Sequence, residues 1–413
     1  MLGRNKLAVI PSQTTKPTRL FAAKDLADRL APHFFFENSI CNFAISGQGN
    51  KEHLISPVLK AAMGRLPVII LHNENHGMMA EIARVWTEKY GSVENAPAGP
   101  LWSCSTGEFE PFLGLDEMDI VQILKKLAEG MGYSCTANFE KVVGAHLSIL
   151  RHMNCDYSLS GLYYLCGFED LEAFQRNIMA LSCSLNEKNR IIANLGLANE
   201  KDKEQFDQFR SMIFRMGYEA RRSGWNAEDG VGSMSVSSAI HSNATMTLSV
   251  SASKSPLLMA YLGQELHLHN DQPCLLIIDD VLLENSDIVS ALRESGFHFR
   301  FCILGSNILE VIGGDRTEAH KFCEQLDLLI LLRHNMSTTA DALSELLGKV
   351  EIRKEAEAFG TGRNFFSILP RTEQKTVTYT TEEQRRVKTE QIMTLDSNSA
   401  IVFHADSNEI LFL

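Results

Sequence analysis

The chain has 413 residues and 46.1 kDa, 45% apolar and 22% charged, which allows a large core over two or three domains and is ordinary for a soluble globular protein. A formal net charge of −12 and a pI near 5.6 exclude a globally basic surface for nucleic acid or anionic membrane, although a local basic channel stays open. No apolar run reaches the roughly 18 to 20 residues of a membrane span, the opening "MLGRNKLAVIPSQTTKP" lacks a signal-type apolar region, and nine cysteines without a CxxC pair read as reduced thiols with no zinc-ligand spacing, so a cytoplasmic compartment is expected.

After a leader of about 40 residues ending in "PHFFFENS", periodicity predicts a strand over 41–46, a helix over 52–63, a strand over 67–72 ("PVIILHN") and a helix over 77–90. This is a βαβ unit, and the near-continuous apolar strand 67–71 suits a parallel sheet covered on both sides. From 115 to 222 the periods are helical, as in "EMDIVQILKKLAEGMG" and "NFEKVVGAHLSILRHMN", with helix starts expected at Asn138 and Ser158 and turns at Gly130, Gly132, Gly161 and "LANEKDKEQ". Strand signals return in "SMSVSSAI", "ATMTLSVSA", "PCLLIIDD", "FRFCILGS" and "LDLLILLR", separated by helices expected over 256–268, 286–295, 317–325 and 338–347, which implies further crossovers of one sheet. The tail from 372 offers a threonine-rich edge-like strand, a charged segment and a terminal hairpin around "HADSNE".

Chemistry concentrates at expected strand ends. "FAISGQGNKEHL" has the form of a phosphate-cradling loop, with Gly47, Gly49, Asn50 and Lys51 as candidate phosphate contacts. Its spelling departs from G-x-x-x-x-G-K-[ST]: Asn50 precedes the lysine, Glu52 stands at the Mg²⁺-binding hydroxyl, and the first glycine position is Ile45. "QPCLLIIDD" has the form of a Walker B strand, in which Asp279 would orient the metal and Asp280 would polarise water; solvated strand-end aspartates are the plain alternative. Ser306 and Asn307 end the next strand, where a γ-phosphate sensor is one reading and an ordinary strand-end loop, common for Ser and Asn, is the plain alternative. His267, His269 and Asp271 have the i, i+2 spacing of one strand face, against a solvated connector, and "HNENHGM" from His72 to Met78 falls on the rim of the same expected pocket. Arg221, Arg222, Arg385, Arg386 and Lys388 are candidate phosphate ligands or arginine fingers, or solvated ion-paired faces.

The order of these segments resembles the RecA-like ATPase of the type IV secretion coupling proteins, the TraG/TraD class. The likeness rests on "FAISGQGNKEH", "PVIILHNENHG", the span from "SMSVSSAI" to "LLIIDD", "FRFCILGSN", "ADALSELLG" and "RRVKTEQIMTLDSNSAIVFHA". It implies a RecA-like P-loop NTPase parallel sheet with an inserted all-α domain: first α/β part and leader 1–114, insertion 115–222, second α/β part 223–371, C-terminal arm 372–413. It further implies ATP and Mg²⁺, a homo-oligomeric ring of six, secretion or conjugation machinery as partners, and DNA or protein as cargo. The second Walker B acid is Asp rather than Glu, and on this reading the family's membrane-anchoring N-terminal helices are expected to be absent. A non-catalytic scaffold that docks an active coupling protein or cargo is the alternative reading.

Overall fold

Successive residues of the strands turn to opposite faces, and here both faces are apolar. Phe43, Ile45, Val68, Ile70, Leu275 and Ile277 belong to one buried cluster, while Ala44, Ile69, Leu71, Leu276 and Ile278 belong to the other. Such strands are stable only with helices on each side, which is why they read as continuous apolar runs. The computed structural model describes residues 26–73, 76–91, 101–103, 109–196, 200–223, 234–250, 255–269, 271–283, 288, 292, 298–313, 316–361 and 373–413.

The strands are β1 (Phe43–Ser46), β2 (Val68–His72), β3 (Leu101–Ser103), β4 (Thr245–Ser249), β5 (Cys274–Asp279), β6 (Phe299–Gly305), β7 (Leu328–Leu331), β8 (Lys349–Thr361), β9 (Glu373–Arg385), β10 (Ile401–His404) and β11 (Glu409–Phe412). A nine-stranded sheet has the order β11-β10-β7-β1-β6-β5-β2-β4-β3. From β7 to β3 all neighbours are parallel, and the terminal hairpin β10–β11 adds an antiparallel edge onto β7. The arrangement is a RecA-like α/β fold, in which β6 separates the glycine-turn strand β1 from the acidic strand β5. β8 and β9 pair only with each other, from Lys349 opposite Arg385 to Thr361 opposite Glu373.

One face is covered by α1 (Lys51–Leu54), α2 (Ser56–Ala62) and α3 (His76–Tyr90). The other carries α4 (Glu117–Gly130), α5 (Ala137–His152), α6 (Leu159–Cys166), α7 (Leu171–Met179), α8 (Leu185–Asn194) and α9 (Glu200–Arg222), followed by α10 (Val236–Ser242), α11 (Pro256–Leu268), α12 (Ile308–Ile312), α13 (Arg316–Cys323), α14 (Ser337–Leu346) and α15 (Thr389–Met393). The apolar residues of α4–α9, such as Phe139, Leu147, Phe209 and Met212, are continuous with the sheet residues Leu276 and Ile278 in one cluster. Asp116, Thr136, Ser158, Asp170 and Ser184 each cap a helix by accepting a backbone N–H, so the polar punctuation of 115–222 sets where its helices begin. Among the described residues no helix is long and apolar enough to cross a membrane. The described cysteines are free thiols, and Cys41, Cys166, Cys274, Cys302 and Cys323 are buried.

Several local expectations are corrected. "SMSVSSAI" contains a helix, α10, not a strand. The alternating serines that mimic a strand close a reciprocal box instead: Ser238 N–H donates to Ser235 Oγ at 2.9 Å, and Ser235 N–H to Ser238 Oγ at 2.7 Å. The helix expected over 52–63 is broken at Ile55, ahead of Pro57, which lacks an N–H for an unbroken ladder. Gly161 lies inside α6, where an added Cβ would meet Leu150 and Ser158 side-chain atoms at 3.0 Å, so this glycine marks close packing against α5 rather than a turn. Thr136, not Asn138, caps α5. Most of the helix expected over 286–295 (all but Ile288 and Leu292), Glu74, residues 197–199 of "LANEKDKEQ" and most of the leader lie outside the described residues, and the rest of that expected turn, from Glu200, is already α9.

Candidate functional site

The candidate phosphate-loop and Walker B residues meet at the carboxyl ends of the parallel strands, where ligands of open α/β sheets bind. Register brings them there: Ser46 of β1 stands opposite Gly305 of β6, and Asp279 of β5 stands between Leu304 of β6 and His72 of β2. Asp280, one residue beyond β5, adopts a left-handed φ of 50° and donates its N–H to Leu304 O at 2.9 Å. Aspartate and asparagine tolerate this conformation better than other non-glycine residues.

Lys51 opens α1 and is 7% exposed. Its Nζ lies 3.5 Å from Asp280 Oδ2 and donates to Gly47 O at 3.5 Å. The lysine a phosphate would need therefore already has an anionic partner. At this separation and an effective dielectric of about 20 the gross attraction is about 5 kcal/mol, reduced by water because the Asp280 side chain is 41% exposed.

The glycine turn is likewise engaged by the protein. Gly47 N–H donates to Gly305 O at 3.0 Å and Gln48 N–H to Arg333 O at 2.9 Å, while Leu332 N–H returns to Ser46 O at 2.8 Å. Gly47 has φ 130°, and a Cβ there would lie 2.8 Å from Leu332 Cβ, so only glycine passes this close to the end of β7. Gly49 and Asn50 are exposed at the tip. Asp279 is fully buried.

Asn307 caps α12 by accepting Leu309 N–H at 3.3 Å and donates to Glu310 Oε1 at 2.8 Å, whereas the Ser306 N–H donates to Asp280 Oδ1 at 3.0 Å. Among the described residues, sequence reasoning missed the contribution of β7's end. Arg333 is exposed there, and His334 is buried, with its basicity lowered by burial and, to a smaller extent, by Lys51. The signal was present in "LLILLRHN", a buried strand running into polar residues at the same rim as the glycine turn.

Other candidates lie elsewhere in the fold or already have partners. His267 lies within α11 and His269 at its end, so the strand-face spacing does not apply; His269 is buried, with its ring centroid 5.9 Å from that of His241. Arg221 stacks over Tyr163 at 4.7 Å and Arg222 over Tyr218 at 5.7 Å. Arg385 pairs with Asp341 and Arg386 with Asn408, as on a solvated polar face.

No protein-family model and no curated protein matches the sequence. Among solved structures, the fold is similar to the unbound monoclinic form of the bacterial conjugative coupling protein TrwBΔN70, at 11% identity and a TM-score of 0.50, covering 94% of this chain and 90% of that one. Its trigonal form in complex with sulphate gives 12% identity, a TM-score of 0.49 and coverage of 94% and 91%. VirB4 of Thermoanaerobacter pseudethanolicus gives 11% identity, a TM-score of 0.40 and coverage of 74% and 80%. At these identities the likeness is one of fold: this chain has the α/β architecture of a conjugative coupling protein over nearly its whole length.

Proposed function

We propose that this chain is a coupling-protein-like component of a conjugative or type IV secretion transfer system, and that its nucleotide site is held shut. The fold and its likeness to a bacterial conjugative coupling protein support the first half. The observation that carries the second is the sequestered Lys51, bound to Asp280 and to the carbonyl of its own loop.

ATP·Mg²⁺ fits this donor set poorly. Asp279 could hold a cation and the exposed Gly49 and Asn50 amides could meet an oxygen, but Glu52 replaces the hydroxyl that a P-loop offers Mg²⁺, and Lys51 must first leave Asp280. Two loop amides, those of Gly47 and Gln48, are already donated to protein carbonyls. A carboxylate beside β- and γ-phosphates adds repulsion of several kcal/mol per charge pair at about 4 Å and a dielectric near 20. On this reading no hydrolytic step runs through Asp279, Asp280 or Asn307. A homo-oligomeric ring, machinery proteins and a DNA or protein cargo belong to the same proposal. The chain serves as scaffold or adaptor for an active coupling protein or its cargo.

Thermal melting with and without ATP·Mg²⁺, on the unaltered protein, Lys51→Ala and Asp280→Asn, tests the shut site. A bound ligand at 100 times its Kd adds about 2.7 kcal/mol of stability. The expected result is no shift in the unaltered protein and a shift in Asp280→Asn, where Lys51 is released. A shift in the unaltered protein that Lys51→Ala abolishes would overturn the reading in favour of a working motor.

A further inference from the structure

We propose that the helical layer contains a zinc site formed by His152, Cys183 and Glu187. His152 is the last residue of α5, Cys183 immediately precedes the Ser184 cap of α8, and Glu187 lies in the first turn of α8. One ligand atom from each, imidazole nitrogen, thiol sulfur and carboxylate oxygen, lies within 4.8 Å of the other two, and all three residues are half-buried.

His152 and Glu187 form a close ion-pair contact whose geometry is not that of a hydrogen bond. Nε2 of His152 lies 3.1 Å from Glu187 Oε1, yet it is buried and makes no hydrogen bond to that oxygen or to any other described group. Two arms of about 2.0–2.2 Å at a tetrahedral angle place nitrogen and oxygen about 3.3 Å apart, so this edge is close to formed. The Ser184 cap, which accepts Glu187 N–H at 3.2 Å, fixes the backbone between the cysteine and the glutamate. The thiol lies within 4.8 Å of both other ligand atoms, and Cys183 is a loop residue rather than one within a helix.

The donor set selects the ion. Thiolate with imidazole and carboxylate suits zinc, whereas magnesium and calcium take oxygen ligands. Thiolate and carboxylate together balance the charge of Zn²⁺, and Arg151 and Arg190, at 4.0 and 3.5 Å from Glu187 Oε1, hold the carboxylate from outside the triad. Three protein ligands leave a fourth position for water. The site would clip the α7–α8 corner to the end of α5: Cys183 and Glu187 are four residues apart at the start of α8, and the third ligand, His152, comes from a different helix.

The test uses the whole chain titrated with Co²⁺, then displaced with Zn²⁺. One Co²⁺ per chain should give a near-ultraviolet thiolate charge-transfer band, lost in Cys183→Ser and in His152→Gln, with Zn²⁺ raising the melting temperature of the unaltered protein only. Affinity in either variant should fall at least about tenfold. Absence of the band in the unaltered protein, or a band that persists in Cys183→Ser, overturns the proposal. Melting of both variants without metal shows that they fold, so loss of the band cannot be mistaken for unfolding. The readout does not involve nucleotide, so it stands or falls separately from the shut site.

Discussion

Two buried carboxyls, Glu81 and Glu265, one on each face of the sheet, are treated in opposite ways. On the side of α1–α3, Glu81 is 9% exposed and gathers His53 Nδ1 at 3.3 Å, Arg84 Nε at 3.0 Å and the Ser56 hydroxyl. Burial pushes this carboxyl up, but His53, Arg84 and Ser56 outweigh it and hold it down at about 2. On the side of the helical layer, Glu265 is fully buried and accepts Ser237 N–H at 3.0 Å; here burial dominates over Ser237 and Tyr261 and the carboxyl rises to about 7. His146, whose Nδ1–H donates to Val142 O at 2.8 Å among Phe174, Phe206 and Phe209, is pushed down by burial to about 4. The thin face, where the Arg84 side chain is 37% exposed, keeps its carboxylate ionised by pairing it with a cation that still reaches water. On the thick face burial keeps Glu265 and His146 neutral, although Glu219 of the same layer, 4% exposed, is paired with the half-exposed Arg215 at 3.2 Å.

The contrast breaks most severely if Glu81 is removed. Glu81→Ala strands Arg84 and His53 and should cost about 3 kcal/mol, the lower end for a broken buried pair because Arg84 is partly solvated. Urea unfolding at pH 7 measures it. Because the folded pKa is depressed from 4.5 to about 2, this group's stabilisation is complete above pH 4.5 and lost as pH falls through 2, and Glu81→Gln should flatten that acid limb.

Glu265→Gln should act with the opposite sign. Its pKa is raised from 4.5 to about 7, so the neutral carboxyl's contribution is complete below pH 4.5 and lost as pH rises through 7. The amide escapes that loss, and the variant should be more stable by up to about 3 kcal/mol at pH 8 and nearly unchanged at pH 4.5. Equal or lower stability at pH 8 would show that Glu265 is not held neutral and that the two carboxyls do not differ in the stated way.

The smallest effects belong to the rim where the faces meet. Gly47→Ala places a Cβ 2.8 Å from Leu332 Cβ at φ 130° and should cost about 2 kcal/mol, whereas Gly49→Ala, at φ 145° with only Leu332 Cδ1 at 3.6 Å, should cost about 1 kcal/mol. Thermal melts of the pair separate backbone strain from the clash with β7.

Much of this architecture was readable in advance because its signals are local. The runs "PVIILHN", "PCLLIID" and "FRFCILG" became β2, β5 and β6, and the helical periods of 115–222 became α4–α9, since each strand or helix must bury residues at its own repeat. "SMSVSSAI" was misread because alternation and a capping box use the same serines, and only the packing of Val236 and Ala239 into the core selects the helix. β8 was not foreseen at all, as "KVEIRKEAEAFGT" carries charges where a core strand would be apolar.

For the site, residue types and strand-end positions in the chain named Lys51, Asp279 and Asp280, because glycine turns and terminal acids are local chemistry. Whether Lys51 awaits a phosphate or already has a partner depends on how far Asp280 lies from it, which the parallel register of β1, β6 and β5 sets across more than two hundred residues of intervening chain. The same holds for Glu81 and Glu265. Composition makes them equivalent acids, and the tertiary partners decide: His53, Arg84 and Ser56 outweigh burial at Glu81 and keep it charged, whereas burial prevails over Ser237 and Tyr261 at Glu265.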